Sequence, residues 1–188
     1  MNKGILVDTC SYFKLSCCFN NLVEFEIVIN DEKYKIYLSE ELVYELENNH
    51  DKFQSKNKYF KIPTIKKVNK FKCSSKEKFQ ISDKLALVEY ETLFHNFRPP
   101  LSIIDKKLIA YQLVFPDDII ILSDDRNLIH LANNLQCKTL ETPQFQILCI
   151  EQGLIDMNNL KECRKLLISI NEYPKGCDAL LKKSNIFI

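Results

Sequence analysis

The chain has 188 residues, 46% of them hydrophobic and 27% charged, a balance that excludes a disordered or fibrous protein and suits one ordinary domain with an appendage. Its three glycines, Gly4, Gly153 and Gly176, are scattered, which rules out the glycine-rich phosphate loop and the GxGxxG dinucleotide fingerprint. The formal net charge of +1 conceals a split: residues 52–78 hold ten lysines and one acid, Glu77, while the rest of the chain holds 16 bases and 24 acids.

In chain order, Gly4–Val7 (GILV) is a short apolar run closed by Asp8, the pattern of a buried parallel strand. The run is too short for a signal peptide, and no apolar stretch reaches membrane-spanning length, so a cytoplasmic protein with reduced, mostly buried thiols is expected. Residues 24–31 read equally as a strand or the end of a helix. Lys35–Leu38 reads as a strand, followed by a helix capped by Ser39, with Glu40 and Glu41 in its first turn, running to about Asn49. Residues 52–80 are expected to form a lysine-rich, loop-rich insertion with aromatics interleaved (Phe53, Tyr59, Phe60, Phe71, Phe79) and a short strand at Tyr59–Ile62.

Ser82 is then expected to open a helix that Pro99–Pro100 stops, and Ser102 with Asp105 fits a capping box for a helix to about Phe115. Ile119–Leu122 (IIIL) is the clearest buried strand, followed by Ser123–Asp124–Asp125 and a helix from Arg126 to Leu135. Lys138–Leu140 reads as a last strand and Pro143–Gln152 as a helix closed by Gly153. Residues 156–188 read as a helical appendage to a domain spanning 1–155. Strands alternating with helices predict an α/β fold with a parallel sheet covered by helices, which carries its chemistry just past the carboxyl ends of the strands. Asp8, Asp124 and Asp125 stand at such ends, Asp105 starts a helix aimed at the same edge, and Glu45 lies on the second turn of the helix after KIYL.

These residues resemble a known family. ILVDT around Asp8, LSEELVYEL around Glu45, LSIIDKKLIA around Asp105 and IIILSDD ending at Asp125 are similar, in order and spacing, to the four acidic motifs of the PIN-domain ribonucleases. RNLIHLANNLQCKTLETPQFQILCIEQGLI resembles the end of a bacterial PIN domain, so the likeness covers roughly residues 3–155. It implies a three-layer α/β/α fold and a metal-dependent endoribonuclease, with a toxin of a toxin–antitoxin pair or a defence effector as its setting. Asp8, Asp105 and Asp125 would be metal ligands, Asp124 a contributing neighbour, and Glu45 a further ligand or water-orienting base, with Glu41 the weaker match. Thr9 and Ser123 would buttress the site. The 60-residue step from Glu45 to Asp105 and a serine where the family's fourth motif has threonine are departures from the pattern.

Crowded carboxylates stay ionised only beside a cation, and Mg2+ or Mn2+ suits an oxygen-only site because hard ions prefer carboxylate and water ligands. Such an ion activates water and offsets charge on a scissile phosphate. Lys56, Lys58, Lys61, Lys66, Lys67, Lys70 and Lys72 would follow the backbone of an RNA substrate, with single-stranded DNA the alternative. An antitoxin or other protein partner and a homo-oligomer are compatible with this reading; a membrane partner is not.

Structural readings stand beside these. Asp105, Asp124 and Asp125 read equally as helix caps, Glu45 as an exposed helix acid, and the lysines as a solvated face. His130 reads as packed on the apolar side of its helix, and Cys10 as small core filling. The competing function is a catalytically inactive PIN-like module that binds RNA or protein. A haloacid-dehalogenase-type phosphatase would need an acid where Cys10 stands.

Overall fold

The computed structural model describes residues 3–19, 24–49 and 69–186, and of Cys17 and Cys18 the backbone only. The expected strand at Tyr59–Ile62 lies outside these residues. Thirteen elements follow in order: β1 (Lys3–Val7), α1 (Thr9–Cys18), β2 (Glu26–Ile29), β3 (Glu32–Tyr37), α2 (Glu40–Asn48), α3 (Ser75–His95), α4 (Ile103–Val114), β4 (Ile119–Leu122), α5 (Arg126–Asn134), β5 (Thr139–Leu140), α6 (Thr142–Glu151), α7 (Met157–Ser169) and α8 (Cys177–Lys183).

One five-stranded sheet has the order β2-β3-β1-β4-β5. The strand β1 is parallel to both neighbours, with Ile5 opposite Ile36 on one side and Ile120 on the other. A strand covered on both faces must be apolar throughout, and Gly4–Val7 and Ile119–Leu122 are buried at every position. Alternation along the strands divides the core. Ile5, Val7, Ile120 and Leu122 meet α1, α2 and α6 on one face, while Leu6, Ile119 and Ile121 meet α3, α4 and α5 on the other.

The segment left open at 24–31 is a strand: β2 pairs antiparallel with β3. The two-residue turn between them has Asn30 and Asp31 at φ 51° and 65°, the left-handed pair that matches the twist of a tight hairpin and that Asn and Asp tolerate best. Helix α1 was not anticipated. Its sequence TCSYFKLSCC has no clean polar face, because Ser11 and Lys14 are buried along with Tyr12 and Leu15, and Asp8 starts it by accepting the Ser11 N–H.

The lysine-rich stretch ends earlier than expected. Helix α3 opens at Ser75, not Ser82, because Ser74 and Glu77 form a reciprocal capping box. Just before it, Leu38 N–H donates to Asn69 O at 2.9 Å and Phe71 N–H to Leu38 O at 3.0 Å, tying the chain to the end of β3. Phe71 is therefore not an aromatic free for stacking. It is buried, with its ring 5.8 Å from Tyr37, 5.8 Å from Tyr111 and 5.5 Å from Phe115.

Residues after Ile155 pack onto the sheet domain. Helix α7 lies against α1 and α8 against α6, and Leu160, Cys177, Leu181 and Ile186 cluster with Ile147 and Ile150. Arg164 grips Asp178 through two hydrogen bonds of 3.1 and 2.8 Å. Cys163 on α7 is disulfide-bonded, so the expectation of reduced thiols fails at that position. No described helix is long and apolar enough to cross a membrane.

Phe71→Ala should destabilise the fold by about 3–5 kcal/mol, the cost of emptying a buried aromatic site, whereas the exposed neighbour Lys72→Ala should stay within about 0.5 kcal/mol of wild type. Urea unfolding midpoints of the two variants measure the contrast; equal midpoints would contradict the docking of residues 69–71.

Candidate active site

The site forms where β1 and β4 end side by side, Val7 opposite Leu122. Asp8 follows β1, with its N–H donating to Leu122 O at 3.0 Å. Asp8 as a residue is 3% exposed: its Oδ1 accepts the Ser11 N–H at 2.5 Å and its Oδ2 accepts the Ser123 hydroxyl. The same Ser123 oxygen accepts the Asp125 N–H at 3.0 Å, so one buried hydroxyl fixes both strand-end acids. Asp125 caps α5, its Oδ1 taking the N–H groups of Asn127 (2.7 Å) and Leu128 (3.1 Å).

Two helices complete the set. Asp105 is held in the capping box of α4, where Oδ2 accepts the Ser102 N–H at 2.9 Å and Ser102 Oγ accepts the Asp105 N–H at 3.1 Å. Glu45 on α2 is half-buried, and its Oε2 accepts the Thr9 hydroxyl at 2.7 Å. Thr9 and Ser123 each donate a hydroxyl hydrogen to one of these acids, Glu45 and Asp8 respectively. Asp8, Glu45, Asp105 and Asp125 all line one cleft of about 830 Å3, together with Thr9, Cys10, Glu40, Glu41, Tyr44 and Ser102.

The electrostatics separate these acids into two kinds. Glu40 is paired with Lys78 at 2.9 Å, and Glu41 with Lys107 at 2.7 Å and the Tyr111 hydroxyl at 3.3 Å. Asp8, Glu45, Asp105 and Asp125 have no ion-pair partner among the described residues. Burial pushes the Asp8 carboxyl up to about 6 against the hydrogen bonds from Ser123 and Ser11, and the charge of Asp105 adds to the rise. Asp105 is raised by burial first, then by Asp125 and Glu45. The neighbouring acids thus add to the difficulty of ionising Asp8 and Asp105, which a bound cation would reverse. Among the described residues, no hydrogen bond engages Asp105 Oδ1, Asp125 Oδ2 or Glu45 Oε1. The donor set is all oxygen and fits a hard cation, although no group of three or more His, Cys, Asp or Glu side chains among the described residues is gathered closely enough to hold one as it stands.

Three sequence readings change. Asp124 does not face the cleft: its carboxylate lies between Lys14 Nζ (2.9 Å) and the Thr142 N–H (2.9 Å), with both side chains of the ion pair 11% exposed. Neighbouring residues on an extended linker point to opposite sides, and here Asp125 takes the cleft side. Cys10 is exposed at the cleft rather than filling the core, and partial loss of water around it in the cleft, followed by the Asp8 charge, pushes its thiol up to about 11, away from the thiolate. His130 is exposed, edge-on to His95 at 5.2 Å and beside Asn134 at 3.3 Å, not packed in the apolar interior.

Of the expected nucleic-acid lysines, Lys56, Lys58, Lys61, Lys66 and Lys67 lie outside the described residues. Lys70 and Lys72 are exposed, and Lys70 bridges to Leu38 at the carboxyl end of β3. Sequence reasoning passed over Lys14 and Tyr44. A lone lysine inside the otherwise uncharged α1 was the available signal for Lys14. The Tyr44 ring lines the cleft 69% exposed, with Ile103 across from it at 51%; an apolar residue off the buried side of its helix was the signal there. Comparison with family models, curated proteins and solved structures finds no match to the chain.

Two outcomes test this geometry. An acid whose folded pKa exceeds its unfolded one binds more protons when folded, so stability falls as pH rises through the window between them. In EDTA, wild type should therefore lose about 2 kcal/mol relative to Asp8→Asn between pH 4 and pH 7, read from urea midpoints; a difference independent of pH would contradict a titrating, buried Asp8. Lys14→Met, which strands the Asp124 carboxylate, should cost about 3 kcal/mol at pH 7, and a near-neutral thermal melt would contradict the pairing.

Proposed function

We propose that the protein is a metal-dependent endoribonuclease of the PIN type, hydrolysing phosphodiester bonds of single-stranded RNA in the carboxylate cleft. The observation that supports this reading is the meeting of Asp8, Glu45, Asp105 and Asp125, from four separate segments, in one cleft where no lysine or arginine among the described residues neutralises them. An uncompensated acidic cluster is costly to the fold and is retained where a ligand offsets it. Asp8, Asp105 and Asp125 would hold Mg2+ or Mn2+, which when bound supplies a Lewis acid against the scissile phosphate.

The rest falls to the chain. Ser123 holds Asp8 and the Asp125 backbone in one register. Thr9 occupies Glu45 Oε2, which leaves Oε1 to orient the attacking water and take its proton. The exposed Tyr44 ring offers a stacking surface to an unpaired base, and Lys70 and Lys72 supply positive charge at the same sheet edge.

The test is cleavage of labelled single-stranded RNA with Mg2+, Mn2+ or EDTA. Wild type should cut only with metal, and Asp8→Asn or Asp125→Asn should lower the rate about a hundredfold or more. RNA bound equally by all three proteins and cut by none would replace this reading with a silent binding module. Cleavage confined to single-stranded DNA would keep the chemistry and change the substrate.

A further inference from the structure

The sequence holds three arginines, Arg98, Arg126 and Arg164. Arg164 is committed to Asp178, whereas Arg98 and Arg126 are exposed and have no ion-pair partner among the described residues. The fold sets these two at one rim of the carboxylate cleft. Arg126 opens α5 directly after Asp125, which lines the cleft. Asn127 Nδ2 donates to Pro99 O at 3.0 Å, tying the Arg98–Pro99 segment to the same turn of that helix. Arg126 is also a cation in a first turn, where the helix dipole disfavours it, and no ion pair offsets that cost.

The flank continues along α5. Arg126, His130 and Asn134 are spaced four residues apart and share the exposed face of the helix, turned away from the buried Leu128 and Ala132. This face runs about 13 Å from Asp125 to Asn134. Beside it His95 stacks on Phe97, the ring centroids 5.2 Å and the planes 15° apart, and the His130 ring meets Phe97 edge-on at 6.0 Å. Asn134 Nδ2 lies 3.4 Å from His95 Nε2 and 3.3 Å from His130 Nε2. The His130 ring is thereby steadied while it stays exposed.

We propose that a single strand of RNA crosses the sheet edge from the end of β3 to the flank of α5. Phosphates on one side of the scissile linkage meet Lys70 and Lys72, phosphates on the other side meet Arg126 and Arg98, and the base beside them stacks on His130. The proposal rests on the ribonuclease reading of the cleft and adds the path of its substrate. Sheet order supplies the direction. β3, β1 and β4 are neighbours, so Lys70 at the end of β3 and Arg126 just after β4 flank the strand-end acids on opposite sides. Acids alone repel a polyanion, and cations on both sides hold it across them. A guanidinium pairs with phosphate through two hydrogen bonds, and a ring face stacks on a base of any sequence.

Fluorescence anisotropy of a labelled single-stranded RNA of about 12 nucleotides, recorded in EDTA so that no strand is cut, tests the path. Arg98→Ala combined with Arg126→Ala should weaken binding about tenfold or more. The same pair should lower the slope of log affinity against log salt by about 1.4, the share of two phosphates. Removing two exposed charges from α7 instead, Lys161→Ala with Lys165→Ala, should leave affinity within about twofold of wild type. His130→Ala should weaken binding about fivefold or more, and His130→Phe, which keeps a ring, should restore it to within about twofold. Arg126→Ala should melt no lower than wild type, since it removes a cation from the positive end of a helix. Wild type that binds RNA while the arginine pair changes nothing, or costs no more than the lysine pair, would overturn the path and leave the reading of the cleft standing. Wild type that binds no RNA would overturn both.

Discussion

Everything at the functional edge follows from the cost of placing a carboxylate where Asp8 sits. Its side chain is nearly sealed from water at the junction of β1 and α1, and burial opposes its charge more strongly than the hydrogen bonds from Ser123 and Ser11 favour it. Asp105 adds repulsion rather than relief. A fold selected for stability alone would put an asparagine or serine cap at that position. Keeping an acid there, with three more around one cleft, sets the fold against its own electrostatics in a way that a cation would resolve.

The scaffold limits that cost by making the acids useful to the backbone. Asp8 and Asp125 each cap a helix and Asp105 closes the capping box of a third, so a helix dipole and one or two backbone N–H groups lie against each negative charge. Capping and ligand binding are compatible because a carboxylate has more acceptor sites than a cap consumes; among the described residues, no hydrogen bond engages Asp105 Oδ1 or Asp125 Oδ2. Glu40 and Glu41 show the contrast. They share the cleft, yet Lys78 and Lys107 neutralise them, which confines the uncompensated charge to the four acids that meet at the strand ends.

Two kinds of positive charge surround this edge. Lys14, Lys78 and Lys107 are committed to carboxylates and stabilise the walls. Lys70 and Lys72 are exposed beside the end of β3, held there by the packing of Phe71 between them. A buried aromatic between two solvated lysines anchors a basic segment without consuming its charge, a suitable arrangement for drawing a polyanion toward an acidic cleft.

Much of this was legible in the residues. Continuous apolar runs closed by an acid, GILV–Asp8 and IIIL–Ser–Asp–Asp, mark central parallel strands because only a strand covered on both faces is apolar at every position. Ser39 and Ser102 announce their helices because capping is local chemistry. What the chain's own order could not express depends on partners distant in sequence. Asp124 and Asp125 are chemically alike, and Lys14, 110 residues away, together with the Thr142 N–H holds the first out of the cleft. Glu41 and Glu45 lie one turn apart, and Lys107 and Thr9 divide them into a neutralised acid and a free one. Helix α1 has no amphipathic pattern of its own, since Ser11 and Lys14 are buried beside Tyr12 and Leu15, and Phe71 reads as one of the aromatics interleaved with the lysines until Tyr37, Tyr111 and Phe115 close around it. The sequence by itself determined which segments are strands and which acids end them, because burial and capping act over a few residues. Tertiary structure alone decided which of those acids remain uncompensated, because charge is neutralised through space and not along the chain.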